Sequence, residues 1–319
     1  MRPAGPVTAF APGGVGNVGP GLDILGLAVA GAGDECRAEW SGTPGIQVLD
    51  PGHPSLSRDP ARHTAALAAR AVLDCAGERL AGSRGIALRI TKGLPLSGGQ
   101  GGSAASAVAG AVAVNALLGL PLDRAALLGA CLVAEEAVSG RHLDNIAPSL
   151  LGGIVLIRCM EPLDLVQLPV PDELVVALVR PAQQLRTAEG RAVLPASLPR
   201  DVALHQAAQV GALVAALASG DYELLGRAID DRIAEPARAA LLPGFREAKA
   251  AALAAGALGS SISGSGPTAF ALARGQAAGE RVAAAMVAAY AACGQRSEAR
   301  VAPVDRVGAR LLDPMEEAR

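Results

Sequence analysis

Residues 93–107 read GLPLSGGQGGSAASA, and the fold turns on how this stretch is read. Glycines at 98, 99, 101 and 102 fall within five positions and lead into a long run of small apolar residues, Ser103 to Leu118. Just upstream, GIALRITKGLPL (85–96) has the character of a strand. Strand, glycine turn and helix together make an anion cradle. The turn presents backbone N–H groups, and the helix N-terminus adds roughly half a positive charge. Four glycines are costly in chain entropy unless the backbone must be closely approached. Ser103 is placed to cap the helix or to turn its hydroxyl toward a phosphate or a metal.

Several unrelated classes use such a cradle. A Walker loop needs G-x-x-x-x-G-K-[ST], whereas here the glycines lead into Ser103-Ala104-Ala105-Ser106 and the nearest lysine, Lys92, lies upstream. Gly14-x-Gly16-x-x-Gly19 follows the strand-like VTAFAP (7–12) and is trailed by Asp34 and Glu35, as in a dinucleotide fingerprint. That fingerprint must open a continuous helix, and Pro20, Gly21, Gly26, Gly31 and Gly33 interrupt the next stretch. A third loop, SGSGP (263–267), reads on its own as a hairpin turn.

Composition narrows the class. With 51% hydrophobic and 18% charged residues the chain can bury a sizeable core. A formal charge of −2 without a Lys/Arg cluster excludes a nucleic-acid partner. Five dispersed cysteines (Cys36, Cys75, Cys131, Cys159, Cys293) read as reduced thiols, and the N-terminus lacks a signal-peptide run. A cytoplasmic protein with no membrane span is expected. The length suggests two domains, and the proline-bearing segment 160–173 is the place to divide them, as 1–160 and 161–319. Helices are expected over 59–77 (N-cap Asp59, stop Gly77), 103–118, 123–138, 200–217, 221–233 and 276–292. A short helix capped by Thr187 is expected before Pro195. Strands are expected at 152–159 and 174–181, in the hairpin around SGSGP, and near 297–304. Alternating strands and helices in both halves indicate an α+β or α/β layered protein.

Taken together, the motifs resemble those of the GHMP kinase superfamily and, within it, the homoserine kinase family. APGGVGNVGPGLDILGLAV is similar to the N-terminal pattern, and GLPLSGGQGGSAASA resembles Pro-x-x-x-Gly-Leu-Gly-Ser-Ser-Ala. SGRHLDNIAPSLLGG, LRTAEGRAVLP, DRIAEPARAALLPGF and SISGSGPTAFAL follow in the family's order. The resemblance implies an α+β fold, with a ribosomal-protein-S5-like N-terminal domain and a ferredoxin-like C-terminal domain. It implies ATP-dependent phosphorylation of L-homoserine with Mg2+, by in-line transfer, in threonine biosynthesis. SGSGP would close on the phosphate loop, and the protein would be a homodimer.

Residue roles follow from the same resemblance. The nucleotide cradle would be Pro95, Leu96, Ser97, Gly98, Gly99, Gln100, Gly101, Gly102, Ser103, Ala104 and Ala105. Magnesium wants oxygen ligands, and Glu135, with Glu136 as fallback, would join Ser103 in holding it. Arg191 and Arg238 would take the acceptor's carboxylate, Asp23 and Asn145 its ammonium, and Asn17 and His142 its hydroxyl and carboxylate ends. Turnover is expected to depend on Asn17 and Arg191, and no carboxylate offers itself as general base. The chain departs from the family in PGGVG before Asn17, in GGQGGS for Gly-Ser-Gly-Leu-Gly-Ser-Ser, and in His63 where asparagine is frequent near the adenine end. The rival readings are a kinase for mevalonate or a sugar, a dinucleotide oxidoreductase, and a nucleotide-binding protein without turnover.

Overall fold

The first strand, β1 (Val7–Gly16), runs straight through the glycines that the sequence suggests as a loop. Gly14 and Gly16 sit in it because other backbone and side chains lie against them. A Cβ on Gly14 would stand 2.1 Å from the Leu27 carbonyl oxygen, and one on Gly16 2.4 Å from the Asp144 carboxylate. The following stretch is a 17-residue strand, β2 (Leu25–Ser41), which removes the helix that a dinucleotide fingerprint requires. The computed structural model from which these elements are taken describes residues 5–75, 84–119, 122–138 and 140–313. The stop expected at Gly77, Leu120–Pro121 between the helices expected at 103–118 and 123–138, and Ser139 of the SGRHLDN motif lie outside the described residues.

Strands β3 (Ile46–Asp50), β4 (Gly85–Lys92), β5 (Ile154–Met160) and β6 (Leu163–Leu168) join β1 and β2 in one sheet. Among the described residues its one parallel pair is β3 with β4. The length of β2 lets it serve two neighbours on one edge. Leu25–Leu27 pair with β5, and Asp34–Ser41 pair with β4. Against this sheet packs a helical layer made of α1 (Thr64–Cys75), α2 (Gly102–Leu118), α3 (Arg124–Glu136) and α4 (Ile146–Leu151). Helix α2 is the central member and is buried almost all round, as its run of small residues requires. At Gly110 the α1 backbone comes so close that a Cβ would stand 2.5 Å from the Ala65 carbonyl oxygen.

Three helix starts differ from expectation, the first at the short helix Thr187–Ala192, where Thr187 is already helical and Arg186 is the N-cap, its amide bonded to the Glu189 carboxylate. Asp59 accepts from the Ala61 amide in a local turn, and α1 begins five residues later. Helix α2 is capped by Gly101 in the left-handed region at φ 70°, without a side-chain bond, so Ser103 is free of capping duty. Asp123, by contrast, does cap α3, accepting from Ala126.

The second sheet holds β7 (Leu174–Pro181), β8 (Gly259–Ile262), β9 (Ala269–Arg274) and β10 (Ser297–Pro303) in the order β10-β7-β9-β8, all antiparallel. Numbered within that sheet the order is 4-1-3-2, the ferredoxin-like arrangement. Residue alternation explains why β7 reads as continuously apolar. Leu174, Val176 and Leu178 face the first sheet's Val15, Leu25 and Leu27, while Ala177 and Val179 face the helices α9 (Phe245–Ala254) and α10 (Gln276–Ala292). Helices α5 (Thr187–Ala192), α6 (Arg200–Ser219), α7 (Tyr222–Ala228) and α8 (Ala234–Arg238) precede them in the chain. The expected 221–233 helix ends at Ala228, and the Asp231 carboxylate takes the amides of Ile233, Ala234 and Glu235 to start α8 beyond it.

Among the described residues one helix, α6, is long and apolar enough to cross a membrane by composition. Leu213, Ala216 and Leu217 bind it into the core, and buried Gln206 donates to the Pro20 carbonyl and to Asp231. The segment 160–173 contains β6, which stays in the first sheet, and the chain then crosses to β7. A last strand, β11 (Arg310–Leu312), returns to pair with β1 and brings the first sheet to seven strands.

Candidate active site

A cavity of about 740 Å³ opens where the N-terminus of α2, the 263–267 loop and the segment before α5 meet. Of the expected nucleotide cradle, Pro95, Leu96, Ser97, Gly98, Gly99, Gly101, Gly102 and Ser103 line it. Gln100, Ala104 and Ala105 do not. The two alanines are buried inside α2, and the Gln100 amide points to Thr268 of the second sheet's hairpin, 3.3 Å away. The glycines are also placed by protein neighbours. A Cβ on Gly99 would stand 2.6 Å from the Gly266 carbonyl oxygen, and one on Gly101 3.0 Å from Asn145 Oδ1. Both take positive φ, 73° and 70°.

Glu135 and Ser103 come together. Ser103 Oγ lies 3.4 Å from Glu135 Oε2, and both line the cavity. A glutamate in the last turn of a helix is ordinarily solvated, yet Glu135 is 7% exposed, while its neighbour Glu136 is exposed and outside the cavity. One buried carboxylate beside a hydroxyl, with room for waters and phosphate oxygens, is a donor set that suits magnesium.

More of the lining comes from both halves of the chain. Asn17, held at φ 70°, accepts from the Asp23 amide and donates to the Gly264 carbonyl. Arg191 grips Asp23 with two nitrogens, at 2.7 and 3.2 Å, and His142 Nδ1 lies 3.6 Å from the same carboxylate. Burial works against the charge on Asp23, but Arg191, His142 and Arg238 outweigh it and hold its pKa below the usual carboxylate range. Burial lowers the His142 pKa, with Asp23 opposing and Arg191 adding to the shift. Arg238 is 1% exposed and donates to the carbonyls of Gly190 and Gly264. Asn17, His142, Asn145, Arg191 and Arg238 all line the cavity, and Asp23 stands behind Arg191.

Three features were not legible in the sequence, and a fourth, His63, was marked there only as a departure from the family. Asp34, a trailing acid of the dinucleotide decoy, is fully buried and ion-paired with Lys92, which it faces across β2 and β4. Lys92 also donates to the Gly102 carbonyl and to Ser106, and Ser106 donates to Asp34 at 2.6 Å. This network clamps the first turn of α2. Asp144, beside Asn145, is buried and lines the cavity, and burial with the charges of Asp23 and Glu135 pushes its pKa up to about 7. His63 is buried, with Nε2 3.3 Å from the Pro51 carbonyl oxygen and Nδ1 unpartnered, and it lines the cavity's other limb. Finally, Arg62 and Arg186 join Lys92, Arg191 and Arg238, so cationic side chains outnumber the lining carboxyls of Glu135 and Asp144. A cavity so biased suits a polyanion.

Comparison with known proteins agrees with this architecture. The model of the GHMP kinases N-terminal domain matches residues 63–153, and that of the GHMP kinases C-terminal domain matches 213–292. The chain is 40% identical to a homoserine kinase of Chlorobium phaeobacteroides strain BS1, covering 96% of this chain and 99% of that protein. It is 44% identical to a homoserine kinase of Arabidopsis thaliana, over 96% and 85% respectively. A solved homoserine kinase from Cytophaga hutchinsonii superposes with a TM-score of 0.91 at 39% identity, covering 98% of this chain and 99% of that one. A galactokinase of Lactococcus lactis, at 16% identity and a TM-score of 0.71, shares the fold. With motifs, two-sheet architecture and near full-length similarity in agreement, the chain belongs to the homoserine kinase family of the GHMP kinases.

Proposed function

We propose that this protein transfers the γ-phosphoryl group of ATP to the side-chain hydroxyl of L-homoserine, giving O-phospho-L-homoserine and ADP, a step of threonine biosynthesis. Kinase family membership implies ATP as donor. The observation that carries the acceptor assignment is the Asp23–Arg191 pair, with Arg191 lining a cation-rich cavity that the glycine loop also lines. The two ends of that pair match the two ends of a zwitterionic amino acid, with Arg191 and Arg238 toward its carboxylate and Asp23 and Asn145 toward its ammonium. Mevalonate and sugars present no such pair of charges.

In this reading the amides of Gly99 to Ser103 and the α2 N-terminus receive the triphosphate, and the nucleoside extends along the limb holding His63. Glu135 and Ser103 would hold Mg2+, which supplies charge neutralisation on the phosphate oxygens. Asn17 and His142 orient the acceptor hydroxyl, and the arginines fix its carboxylate, so the oxygen attacks in line. The new bond to Pγ forms as the Pγ–O bond to ADP breaks, the hydroxyl proton passes to solvent, and rate comes from positioning and neutralisation of charge. The domain division at 160/161, a homodimer and a cytoplasmic location complete the proposal, with no nucleic-acid or membrane partner. The test is ADP release from Mg-ATP with L-homoserine, against mevalonate, galactose and no acceptor. Stimulation by homoserine alone is expected, and its absence would overturn the assignment.

A further inference from the structure

Arg238 is a buried cation whose guanidinium meets carbonyls and, among the described residues, pairs with no carboxylate. Its Nε donates to the Gly190 carbonyl and its Nη1 to the Gly264 carbonyl, each at 2.9 Å. Burial lowers its pKa, and nearby Arg191 adds to the shift. Helix α8, which carries it, has five residues, too few for a helix to be stable alone. Where the guanidinium stands therefore depends on what holds α8 from outside. At its start the Asp231 carboxylate takes three amides. Within the helix, Glu235 sets one carboxylate oxygen on Lys249 Nζ of α9. The other accepts from the Ser261 hydroxyl of β8 at 2.6 Å.

Glu235 and Arg238 lie three apart on α8 and so share a face. Ser261 and Gly264 are three apart as well, on the chain that leaves β8 for the 263–267 loop. Two rungs, Glu235 to Ser261 and Arg238 to Gly264, thus join the same two segments. The second rung ends at the acceptor site, since the Gly264 carbonyl also accepts from Asn17 and Arg238 lines the cavity. The first does not, because Glu235, Lys249 and Ser261 lie outside the cavity lining. Lys249 balances the Glu235 charge, so the first rung adds no net charge near Arg238. Glu235 belongs to the DRIAEPARAALLPGF motif, yet none of the roles implied by the resemblance falls on it. We propose that Glu235, held by Lys249 and Ser261, is a positioning residue that sets Arg238 against the carboxylate of the acceptor. The inference rests on the homoserine kinase function proposed above.

Glu235→Gln keeps the shape of the side chain and loses its ion pair, Lys249→Met removes the partner charge, and Lys249→Arg keeps it. The readouts are the KM for homoserine and for ATP separately, kcat, the melting temperature, and the inhibition constant of L-homoserine carboxamide, which has the substrate's length without its carboxylate. Glu235→Gln is expected to raise the homoserine KM about five- to tenfold and Lys249→Met about threefold, with Lys249→Arg within about twofold of wild type. The ATP KM should stay within about twofold and kcat within about threefold. The carboxamide's inhibition constant should move less than about twofold in Glu235→Gln, because Arg238 has no carboxylate to meet there. An unchanged homoserine KM in the folded Glu235→Gln variant would overturn the proposal. So would a parallel rise in the ATP KM, or a carboxamide weakened as much as homoserine, since a general loss of structure moves all three. If Glu235→Gln does not fold, Lys249→Met against Lys249→Arg decides by the same comparisons. Wild-type protein that releases no extra ADP with homoserine would sink the proposed function and this proposal with it. Stimulated wild type with indifferent variants would sink the positioning role alone.

Discussion

Asp23 and Arg191 are the residues on which acceptor choice should turn. Each charge-assisted hydrogen bond lost with the guanidinium is worth about 1.5–3 kcal/mol. Arg191→Ala is therefore expected to lower kcat/KM for homoserine about 100-fold or more, with the KM for ATP little changed. Arg191→Lys should recover only part of this, because an ammonium lacks the planar fork. Asn17→Ala should depress kcat comparably while the fold survives, since its bonds reach both the Asp23 amide and the Gly264 carbonyl. Near-wild-type kinetics in both variants would overturn these roles. Asp144 makes a different prediction. Its folded pKa of about 7 lies above the ordinary 3.8, so the folded state binds this proton more tightly than the unfolded chain does. The stability it contributes is full below about pH 4 and is lost as pH rises toward 7. Asp144→Asn should thus melt several degrees above wild type at pH 8, with the difference vanishing near pH 4. A gap equal at both pH values would count against it. The residue types at Asn17, Asp23, His142 and the arginines were legible because their motifs are contiguous. Asp34 and Lys92 were not, because only strand register places residues 58 apart side by side.

The glycine loop and α2 form the element on which phosphate binding depends, and their four glycines are not equivalent. Gly99 combines positive φ with backbone atoms where a Cβ would go, so Gly99→Ala should cost about 1–3 kcal/mol and abolish measurable ATP binding. Gly102 has no positive φ, and the nearest atom to an added Cβ is Lys92 Nζ at 3.4 Å, an ordinary contact distance. Gly102→Ala should leave the melting temperature within about 2 °C, or raise it slightly by helix propensity. Thermal melts and calorimetry of the two variants separate these outcomes. Helix α2 was readable from end to end, since a breaker precedes a run of small apolar residues and Gly119 follows it. Strands β2, β3, β6 and β11 were missed: the glycines at 26, 31 and 33 disguise the 17-residue β2, and the five, six and three residues of the others carry too little periodicity to declare themselves. The turn at Asp59 shows the complementary error, an acid that looks like a helix cap bonding one step too early.

At the scale of the whole molecule, the two sheets share one apolar core, in which Val15, Leu25 and Leu27 meet Val176, Leu178 and Phe270. The cavity is built from both halves, so unfolding should be a single calorimetric transition. ATP at a hundred times its Kd should shift it by about 2.7 kcal/mol. Two separate transitions, of which ATP moves only one, would show that the halves are not coupled. The proposed homodimer predicts twice the 31.8 kDa chain mass in light scattering. What could be read from residue order was everything carried by neighbours within a few positions: turn chemistry, helix periodicity, the motif set, and through them the family and its chemistry. Packing added what depends on distant partners. Gln100 looked like part of an anion cradle and instead anchors that cradle to a hairpin 168 positions away. Gly99 looked like space for a ligand and is space for the Gly266 carbonyl. The physical reason is common to both, since a side chain's direction follows from the backbone it sits on, but what it meets there is set only when remote strands come into register.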